Sequence, residues 1–124
     1  MIRLIIADDQ ASVRRALRMK LELEPGVEVV GEAVDGASAL ELVEAMQPHV
    51  VLMDLRMPGM DGLSATKALR ESVPNVGVVI LTLYDDPATR SLALEAGAVA
   101  FVGKHESCEV LLDALRQAAA RQHN

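Results

Sequence analysis

Apolar runs and amphipathic stretches alternate five times along the chain. The apolar runs predict β-strands near 2–7, 27–33, 50–54, 77–82 and 98–102. Runs such as Val50–Met53 and Val78–Leu81 are apolar on both faces, which is typical of a parallel strand that helices cover on both sides. The second run differs because Glu28 and Glu32 stand among its apolar residues, and this favours a partly hydrated edge strand.

The amphipathic stretches predict a helix after each strand. These helices lie near 11–24, 37–47 and 63–72, from Asp86-Pro87 to Ala96-Gly97, and at about 107–121. Asp61 and Asp86 precede the third and fourth helices, where an Asp side chain can accept a hydrogen bond from a free backbone N–H. Pro25-Gly26 ends the first helix, and Gly97 suits the left-handed turn that ends the fourth.

This order of elements predicts the fold class. Five βα units of this length match an α/β protein of the flavodoxin-like, CheY-like type. Its sheet is doubly wound, parallel and five-stranded, with the strand order 2-1-3-4-5 and five helices. The 124 residues suffice for one domain, and we expect that domain to span 1–124.

The composition restricts the kinds of partner. Of the residues 51% are apolar, but Tyr84 and Phe101 are the only aromatic ones, so we expect an aliphatic core. A net charge of −6 gives no general attraction for phosphate backbones, and two aromatic residues do not make a base-stacking platform. Nucleic-acid binding by this segment alone is therefore not expected.

Cysteine usage and the first residues favour a cytoplasmic location. Cys108 is the only cysteine, which excludes an internal disulfide and fits a reducing compartment. We expect it on the buried side of the last helix and not as a reactive thiol. Met1-Ile2-Arg3 leads directly into a strand, without a signal-peptide layout or the roughly 20 apolar residues of a membrane span. We expect a soluble domain with no membrane contact.

Charged and polar side chains stand where the predicted strands end. Asp8 and Asp9 follow the first strand, Asp54 the third and Lys104 the fifth, while Thr82 closes the fourth. The carboxyl ends of strands in an open parallel sheet line one crevice, where ligands bind. Carboxylates so placed repel each other by about 4 kcal/mol per pair at 4 Å, unless a divalent cation lies among them. The pattern predicts a metal-assisted phosphoryl site.

These segments resemble the receiver domain of two-component response regulators, over nearly the whole chain. The resemblance is carried by Ile5-Ile6-Ala7-Asp8-Asp9, by Met53 through Leu63, by Leu81-Thr82, and by Gly97-Ala98 through Phe101 to Lys104. The stretch Met57–Gly62 behind an acidic strand end is highly specific. In detail the chain resembles the NarL/FixJ (LuxR-type) subfamily, whose members usually carry a helix-turn-helix DNA-binding domain after the receiver. We expect DNA contact only through such an output domain, which is absent from this chain.

The resemblance implies a role for each acidic residue. Asp54 matches the phosphoacceptor, which takes a phosphoryl group from the phosphohistidine of a sensor histidine kinase. Asp9 matches the residue that binds Mg²⁺ directly together with Asp54, and Asp8 the one that reaches the metal through water. The backbone carbonyl of Arg56 would complete the protein ligands. Mg²⁺ takes few carboxylates and keeps waters, which fits this set.

The resemblance also assigns the residues that read the phosphoryl group. The hydroxyl of Thr82 would hydrogen-bond a phosphoryl oxygen, and the ammonium of Lys104 would pair with it. Phe101 matches an aromatic switch residue that turns inward as Thr82 moves, although a plain core role competes with this interpretation. Arg56 and Tyr84 flank the phosphoryl group, so their large side chains leave the lifetime of the phosphorylated state open.

Two rival functions come from other classes. An aspartyl-nucleophile phosphatase of the haloacid-dehalogenase type carries a second Asp two residues after its nucleophile, where this chain has Arg56, and its nucleophile follows the first strand. A pseudo-receiver that only dimerises usually lacks one member of the acid, Thr and Lys set, whereas this chain has all of them. We therefore expect a phosphorylated switch with a transcriptional output, and not an enzyme, apart from any self-catalysed phosphorylation and dephosphorylation.

Other polar and sulfur-containing residues receive structural interpretations. Asp85 and Asp86 are explained by capping of the fourth helix, and Met57 and Met60 by packing. The histidines show no ligand-like spacing, which argues against a histidine metal site; they are His49, His105 and His123.

The first and last helices suggest a surface for a homodimer. Met19 and Leu23 on the first helix and Leu112 and Ala119 on the last lie at the edges of their apolar stripes or beyond them. They could form one apolar patch, as in members of the subfamily that dimerise around these two helices. The alternative is that both stripes are wholly buried.

Overall fold

The chain forms five strands that alternate with five helices, described over residues 1–120 in a computed structural model. The strands are β1 (Ile2–Ala7), β2 (Val27–Ala33), β3 (Val50–Met53), β4 (Gly77–Thr82) and β5 (Ala100–Gly103). The helices are α1 (Ala11–Glu22), α2 (Gly36–Met46), α3 (Gly62–Ser72), α4 (Pro87–Ala96) and α5 (Cys108–Ala120). The elements predicted from the sequence are confirmed, except that the predicted helical residue 121 lies outside the described residues.

The strands form one parallel sheet in the order β2-β1-β3-β4-β5, as predicted. β2 lies at the edge of this sheet, which explains why its sequence mixes charge with apolar residues. The central strands β3 and β4 are buried along their whole length, as expected of strands covered on both faces.

Two hydrophobic layers cover the sheet, one on each face. Successive side chains of a strand point to opposite faces, so Ile5 and Ala7 face one layer while Leu4 and Ile6 face the other. Helices α2, α3 and α4 pack on the first layer, and α1 and α5 on the second. The layers contain one buried aromatic residue, Phe101, so the core is aliphatic as the composition predicted.

Side-chain caps fix where the helices begin. Asp61 and Asp86 each accept a hydrogen bond from the backbone N–H three residues later, at 2.8 and 2.7 Å. Pro87 occupies the first turn of α4, and Gly97 ends that helix with φ at +116°, a left-handed conformation that suits glycine. These caps confirm the boundaries that the sequence predicted for α3 and α4.

Two element boundaries differ from the prediction by two residues, and several others differ by one. Helix α1 ends at Glu22 and not at residue 24, because its last buried residue is Leu21 and the next apolar side chain, Leu23, is 82% exposed. Strand β5 begins at Ala100 and not at residue 98. The N–H of Ala98 is instead bonded to the carbonyl of Ala93, which closes the end of α4.

The first residues of α5 correct the prediction for the cysteine. Cys108 is exposed and not on a buried side of the helix. The reason is that α5 begins before it reaches the sheet: residues 108–110 are all exposed, and burial starts one turn into the helix at Leu111.

The predicted apolar patch between α1 and α5 is wrong on the α5 side. Leu112 is only 7% exposed and belongs to the core, and Ala119 packs against the same core. On α1, Met19 and Leu23 are 66% and 82% exposed. Of these four residues, only Met19 and Leu23 of α1 are exposed, and the buried alternative holds for Leu112.

The helices of residues 1–120 are all too short or too polar to cross a membrane.

A glycine at the start of α2 provides a test of this packing. The N–H of Gly36 donates to the carbonyl of Met60 at 3.1 Å, and a Cβ on residue 36 would lie 2.5 Å from that same oxygen. We expect Gly36→Ala to lower the free energy of unfolding by about 1–3 kcal/mol through overpacking, as measured by urea denaturation. Gly26→Ala is the matched control, because nothing lies within 4 Å of a Cβ there. Equal stability of the two variants would contradict the proposed close packing.

Candidate functional site

The sheet itself places the polar residues that follow its strands. The N–H of Asp8 donates to the carbonyl of Ala33, at 3.0 Å, and the N–H of Asp54 to that of Ala7, at 2.9 Å. The N–H of Lys104 donates to the carbonyl of Thr82 at 2.8 Å. These bonds continue the pattern of the sheet one residue past the strands. The side chains of Asp8, Asp54 and Lys104 therefore start from backbone positions that the sheet fixes.

Three carboxylates converge at this edge of the sheet. One carboxylate oxygen from each of Asp8, Asp9 and Asp54 lies within 4.8 Å of the others. Asp8 is 2% and Asp54 is 8% exposed, whereas Asp9 is exposed. Two charges are thus removed from water and the third faces it. Carboxylate oxygens are the ligands that Mg²⁺ prefers, so the donor set fits that ion.

An ammonium group lies against the two buried carboxylates. The Nζ of Lys104 donates to Oδ2 of Asp8 at 3.0 Å and lies 3.7 Å from Oδ2 of Asp54. The Lys104 side chain is 17% exposed, so this pairing is only weakly screened by water. One positive charge therefore balances part of the negative charge of the cluster.

The pKa of Asp54 shows how far these charges balance one another. Burial raises the pKa of the Asp54 carboxyl above its ordinary value. The Lys104 ammonium opposes this rise, the Asp8 carboxylate adds to it, and the backbone N–H groups of Leu55 and Arg56 oppose it. Because the net pKa shift is upward, the Lys104 ammonium and the two N–H groups only partly offset the hydration that the ionised carboxylate loses on burial. A bound cation would add to this offset.

Hydrogen bonds and close packing hold Asp8 and Asp54 in position. Oδ1 of Asp8 accepts the N–H of Gln10 at 2.9 Å, and its backbone carbonyl accepts Nη1 of Arg14 at 2.7 Å. The first residue of α3, Gly62, packs so closely that a Cβ there would overlap the backbone carbonyl oxygen of Asp54. The sequence did not predict that this glycine helps to position Asp54, although Gly62 lies in the most specific segment, Met57–Gly62.

The two predicted switch residues lie on the neighbouring strands. Thr82 at the end of β4 is fully buried, and its Oγ1 accepts the N–H of Tyr84 at 3.0 Å. Phe101 on β5 is 6% exposed and belongs to the layer beneath α2, α3 and α4. The guanidinium carbon of Arg90, on α4, lies 5.9 Å from the centre of its ring. The core role of Phe101 is confirmed, and its switch role stays a prediction.

Two large side chains meet at the rim of the site. The guanidinium carbon of Arg56 lies 4.0 Å from the ring centre of Tyr84, a cation–π contact between the β3–α3 and β4–α4 loops. Both residues were expected beside the site, but their contact with each other was not predicted. A signal was present, because each residue stands two positions beyond a strand-end residue, Asp54 or Thr82, and the two strands are neighbours.

The structure thus brings together the predicted acidic residues and Lys104, with Thr82 on the next strand and Arg56 and Tyr84 at the rim. Met57 is buried and Met60 partly so, which confirms packing roles for both. Asp86 caps α4 as predicted. Asp85 does not share this role; its carboxylate faces His105.

Comparison with known proteins places this site in a family. The family model "Response regulator receiver domain" matches residues 4–116. The nitrate/nitrite response regulator protein NarP of Escherichia coli is 43% identical over 115 residues, which are 93% of this chain and 54% of that protein. The transcriptional regulatory protein LiaR of Bacillus subtilis is 38% identical over 119 residues, 96% of this chain and 56% of that protein.

A solved structure agrees with these sequence matches. The signal receiver domain of the response regulator NarL from Mycobacterium tuberculosis superposes with a TM-score of 0.86 at 38% identity. The match covers 93% of this chain and 96% of that one. The chain spans about half the length of the curated relatives it matches. It belongs to the response regulator receiver domains, in their NarL/LuxR-type branch, and is the receiver domain of a two-component response regulator.

Proposed function

We propose that this receiver accepts a phosphoryl group on Asp54 from the phosphohistidine of a sensor histidine kinase and thereby changes conformation. The observation that carries the proposal is the charge arrangement: Asp54 is buried beside Asp8, near Asp9, and 3.7 Å from the ammonium of Lys104. A carboxylate attacks phosphorus only where the charge on the phosphoryl oxygens is neutralised. These residues provide a nucleophile with positive charge beside it.

The transfer assigns a task to each side chain. A carboxylate oxygen of Asp54 forms the new O–P bond as the N–P bond of the phosphohistidine breaks and its electron pair returns to the imidazole. The ammonium of Lys104 then moves from the carboxylates to the phosphoryl oxygens, which carry more charge. The hydroxyl of Thr82 accepts the Tyr84 N–H through its oxygen, so its hydrogen is available to a phosphoryl oxygen.

Mg²⁺ is the cofactor that the carboxylate set fits. Asp9 and Asp54 would bind it directly, Asp8 through water, and the backbone carbonyl of Arg56 would complete the protein ligands. The hydrogen bond between Asp8 and Lys104 supports the more distant role of Asp8, since its Oδ2 is already engaged. When bound, Mg²⁺ supplies positive charge to the phosphoryl oxygens.

The change in conformation starts at the residues that contact the phosphoryl group. Movement of Thr82 toward it would open space beside β4, and Phe101 and α4 would shift with it. A transcriptional output through a DNA-binding domain is supported by relatives that are named as transcriptional regulators and are about twice as long. Of the four residues predicted for a homodimer surface on the first and last helices, Met19 and Leu23 are exposed and support it.

The first test concerns the phosphoacceptor. Incubation with acetyl phosphate and Mg²⁺ should add one phosphoryl group to the wild-type protein, as seen by intact mass. Asp54→Asn keeps the shape of the side chain but removes the nucleophile, so it should gain none. Asp113→Asn, on exposed α5 surface, is the control and should behave as wild type. If the wild-type protein stays unmodified, the result favours a pseudo-receiver. If phosphate is released steadily and no adduct is seen, the result favours a phosphatase.

The second test concerns the charge balance of the site without metal. Because burial raises the pKa of Asp54 in the folded protein, its contribution to stability is present at acid pH and is lost as pH rises through that pKa. In EDTA at pH 7 we therefore expect Asp54→Asn to be more stable than wild type. The difference should shrink as pH falls and vanish below the ordinary carboxyl pKa of about 3.9, where Asp54 is protonated in both states.

Urea denaturation over a pH series measures this difference, again with Asp113→Asn as the exposed control. Greater stability of the wild-type protein at neutral pH in EDTA would contradict an incomplete offset of the hydration that the Asp54 carboxylate loses on burial.

The third test concerns the lifetime of the phosphorylated state. The Arg56–Tyr84 contact covers the rim, and a cation–π pair at such a site contributes about 0.5–1 kcal/mol. If the pair restricts access of water to the phosphoryl group, Tyr84→Ala should speed loss of phosphate by roughly two- to fivefold. Tyr84→Phe keeps the ring and should leave the rate near that of wild type.

A double-mutant cycle isolates the contact from the separate effects of the two side chains. In the background of Arg56→Ala, the substitution Tyr84→Ala should have little further effect on the rate. Fully additive effects would show that the two residues act independently.

A further inference from the structure

A second group of metal-ligating side chains lies outside the phosphorylation site. Asp85, His105 and Glu106 each offer one ligand atom, and these three atoms lie within 4.8 Å of one another. Asp85 comes from the β4–α4 loop, whereas His105 and Glu106 come from the β5–α5 loop. We propose that this cluster is a binding site for a divalent transition-metal ion of the zinc type, distinct from the Mg²⁺ site.

The distances within the cluster suit a metal better than hydrogen bonds. Nε2 of His105 lies 3.6 Å from Oδ2 of Asp85 and 3.4 Å from Oε1 of Glu106. Both separations exceed the ordinary hydrogen-bond length of about 2.7–3.2 Å. Tetrahedral zinc with ligands at about 2.0–2.2 Å requires its ligand atoms to be roughly 3.3–3.5 Å apart. The two separations from Nε2 are close to this spacing, and the third pair of ligand atoms lies within 4.8 Å.

The chemistry of the three ligands selects the class of ion. An imidazole nitrogen suits Zn²⁺, Ni²⁺ and Cu²⁺, whereas Mg²⁺ and Ca²⁺ prefer oxygen ligands alone. Two carboxylates neutralise the double charge of the ion. Side-chain exposures of 65% for His105, 33% for Asp85 and 37% for Glu106 leave room for a water ligand in the fourth position.

The end of β5 holds the imidazole in place. A Cβ on Gly103 would lie 2.5 Å from Cε1 and 2.8 Å from Nδ1 of His105, and 2.9 Å from Oδ2 of Asp85. The ring and the carboxylate therefore occupy the space that glycine leaves open, and they approach each other over it. This contact arranges two of the ligands before any ion binds. The entropic cost of ordering them on binding is therefore smaller.

The alternative is that His105, when protonated, only forms ion pairs with the two acids. Titration of Zn²⁺ in the presence of excess Mg²⁺ separates the two ideas. With Mg²⁺ competing for the Asp8, Asp9 and Asp54 cluster, isothermal calorimetry should show one Zn²⁺ site. In NMR spectra the His105 imidazole resonances should shift on binding, and those of His49 should not.

Substitution of each proposed ligand tests whether these three residues bind the ion. His105→Gln should weaken Zn²⁺ binding by about tenfold or more, and Asp85→Asn and Glu106→Gln should each weaken it measurably. Two variants should retain it: Glu109→Gln, which removes an exposed acid of α5 outside the cluster, and Asp9→Ala, which disables the other metal site. Retention in Asp9→Ala would make the result independent of the proposed phosphorylation mechanism.

Three outcomes would overturn the proposal. One is the absence of saturable Zn²⁺ binding. Another is binding that His105→Gln leaves intact, and the third is binding that Asp9→Ala abolishes. The first would leave the ion-pair explanation of the cluster in place.

Discussion

The structure depends on holding carboxylates together that repel one another. Asp8 and Asp54 are nearly buried, and burial removes the water that would screen their charges. Hydrogen bonds of the sheet, continued one residue past β1 and β3, fix the backbones of Asp8 and Asp54 next to each other. The ammonium of Lys104 is what makes the arrangement tolerable without metal, since it contacts Asp8 and lies near Asp54. Its balance is incomplete, as the raised pKa of Asp54 indicates. Stability is thus given up at the place where the phosphoryl chemistry is proposed.

The rest of the fold compensates for this local cost. The layers on both faces of the sheet are aliphatic and closely packed, and β3 and β4 are buried along their whole length. Most of the hydrophobic stabilisation therefore lies in the centre of the sheet, while the polar residues stand at the ends of its strands. This division allows the loops to vary in sequence without disturbing the core. It also explains how Gly62 and Gly36 contribute, since each allows a helix to approach the loop that carries Asp54.

Much of this arrangement could be predicted from the sequence, because local rules determine it. Strand-end positions follow from the apolar runs, and Asp61 and Asp86 are caps by residue type and place. The errors arose where burial depends on distance from the sheet. Cys108 shares the apolar period of α5 but precedes the first contact of that helix with the sheet, and Leu112 is buried by its neighbours.

Contacts between loops were missed for a related reason. The Arg56–Tyr84 contact and the approach of His105 to Asp85 join residues that are far apart in sequence. The spacing of the histidines alone does not register that Asp85, from another loop, lies beside His105.

The loops after β4 and β5 connect the two polar sites of this domain. The β4–α4 loop carries Asp85 three residues beyond Thr82, and the β5–α5 loop carries His105 directly after Lys104. A phosphoryl group that draws Thr82 and Lys104 toward Asp54 would move both loops, and with them the ligands of the second cluster. Binding at one site would then alter the affinity of the other, and by thermodynamic linkage the effect must be equal in both directions. Its sign is set by whether the phosphorylated arrangement brings Asp85 and His105 closer together or moves them apart. The loops after β4 and β5 would therefore be the physical route by which an ion at the proposed second cluster influences the phosphoacceptor.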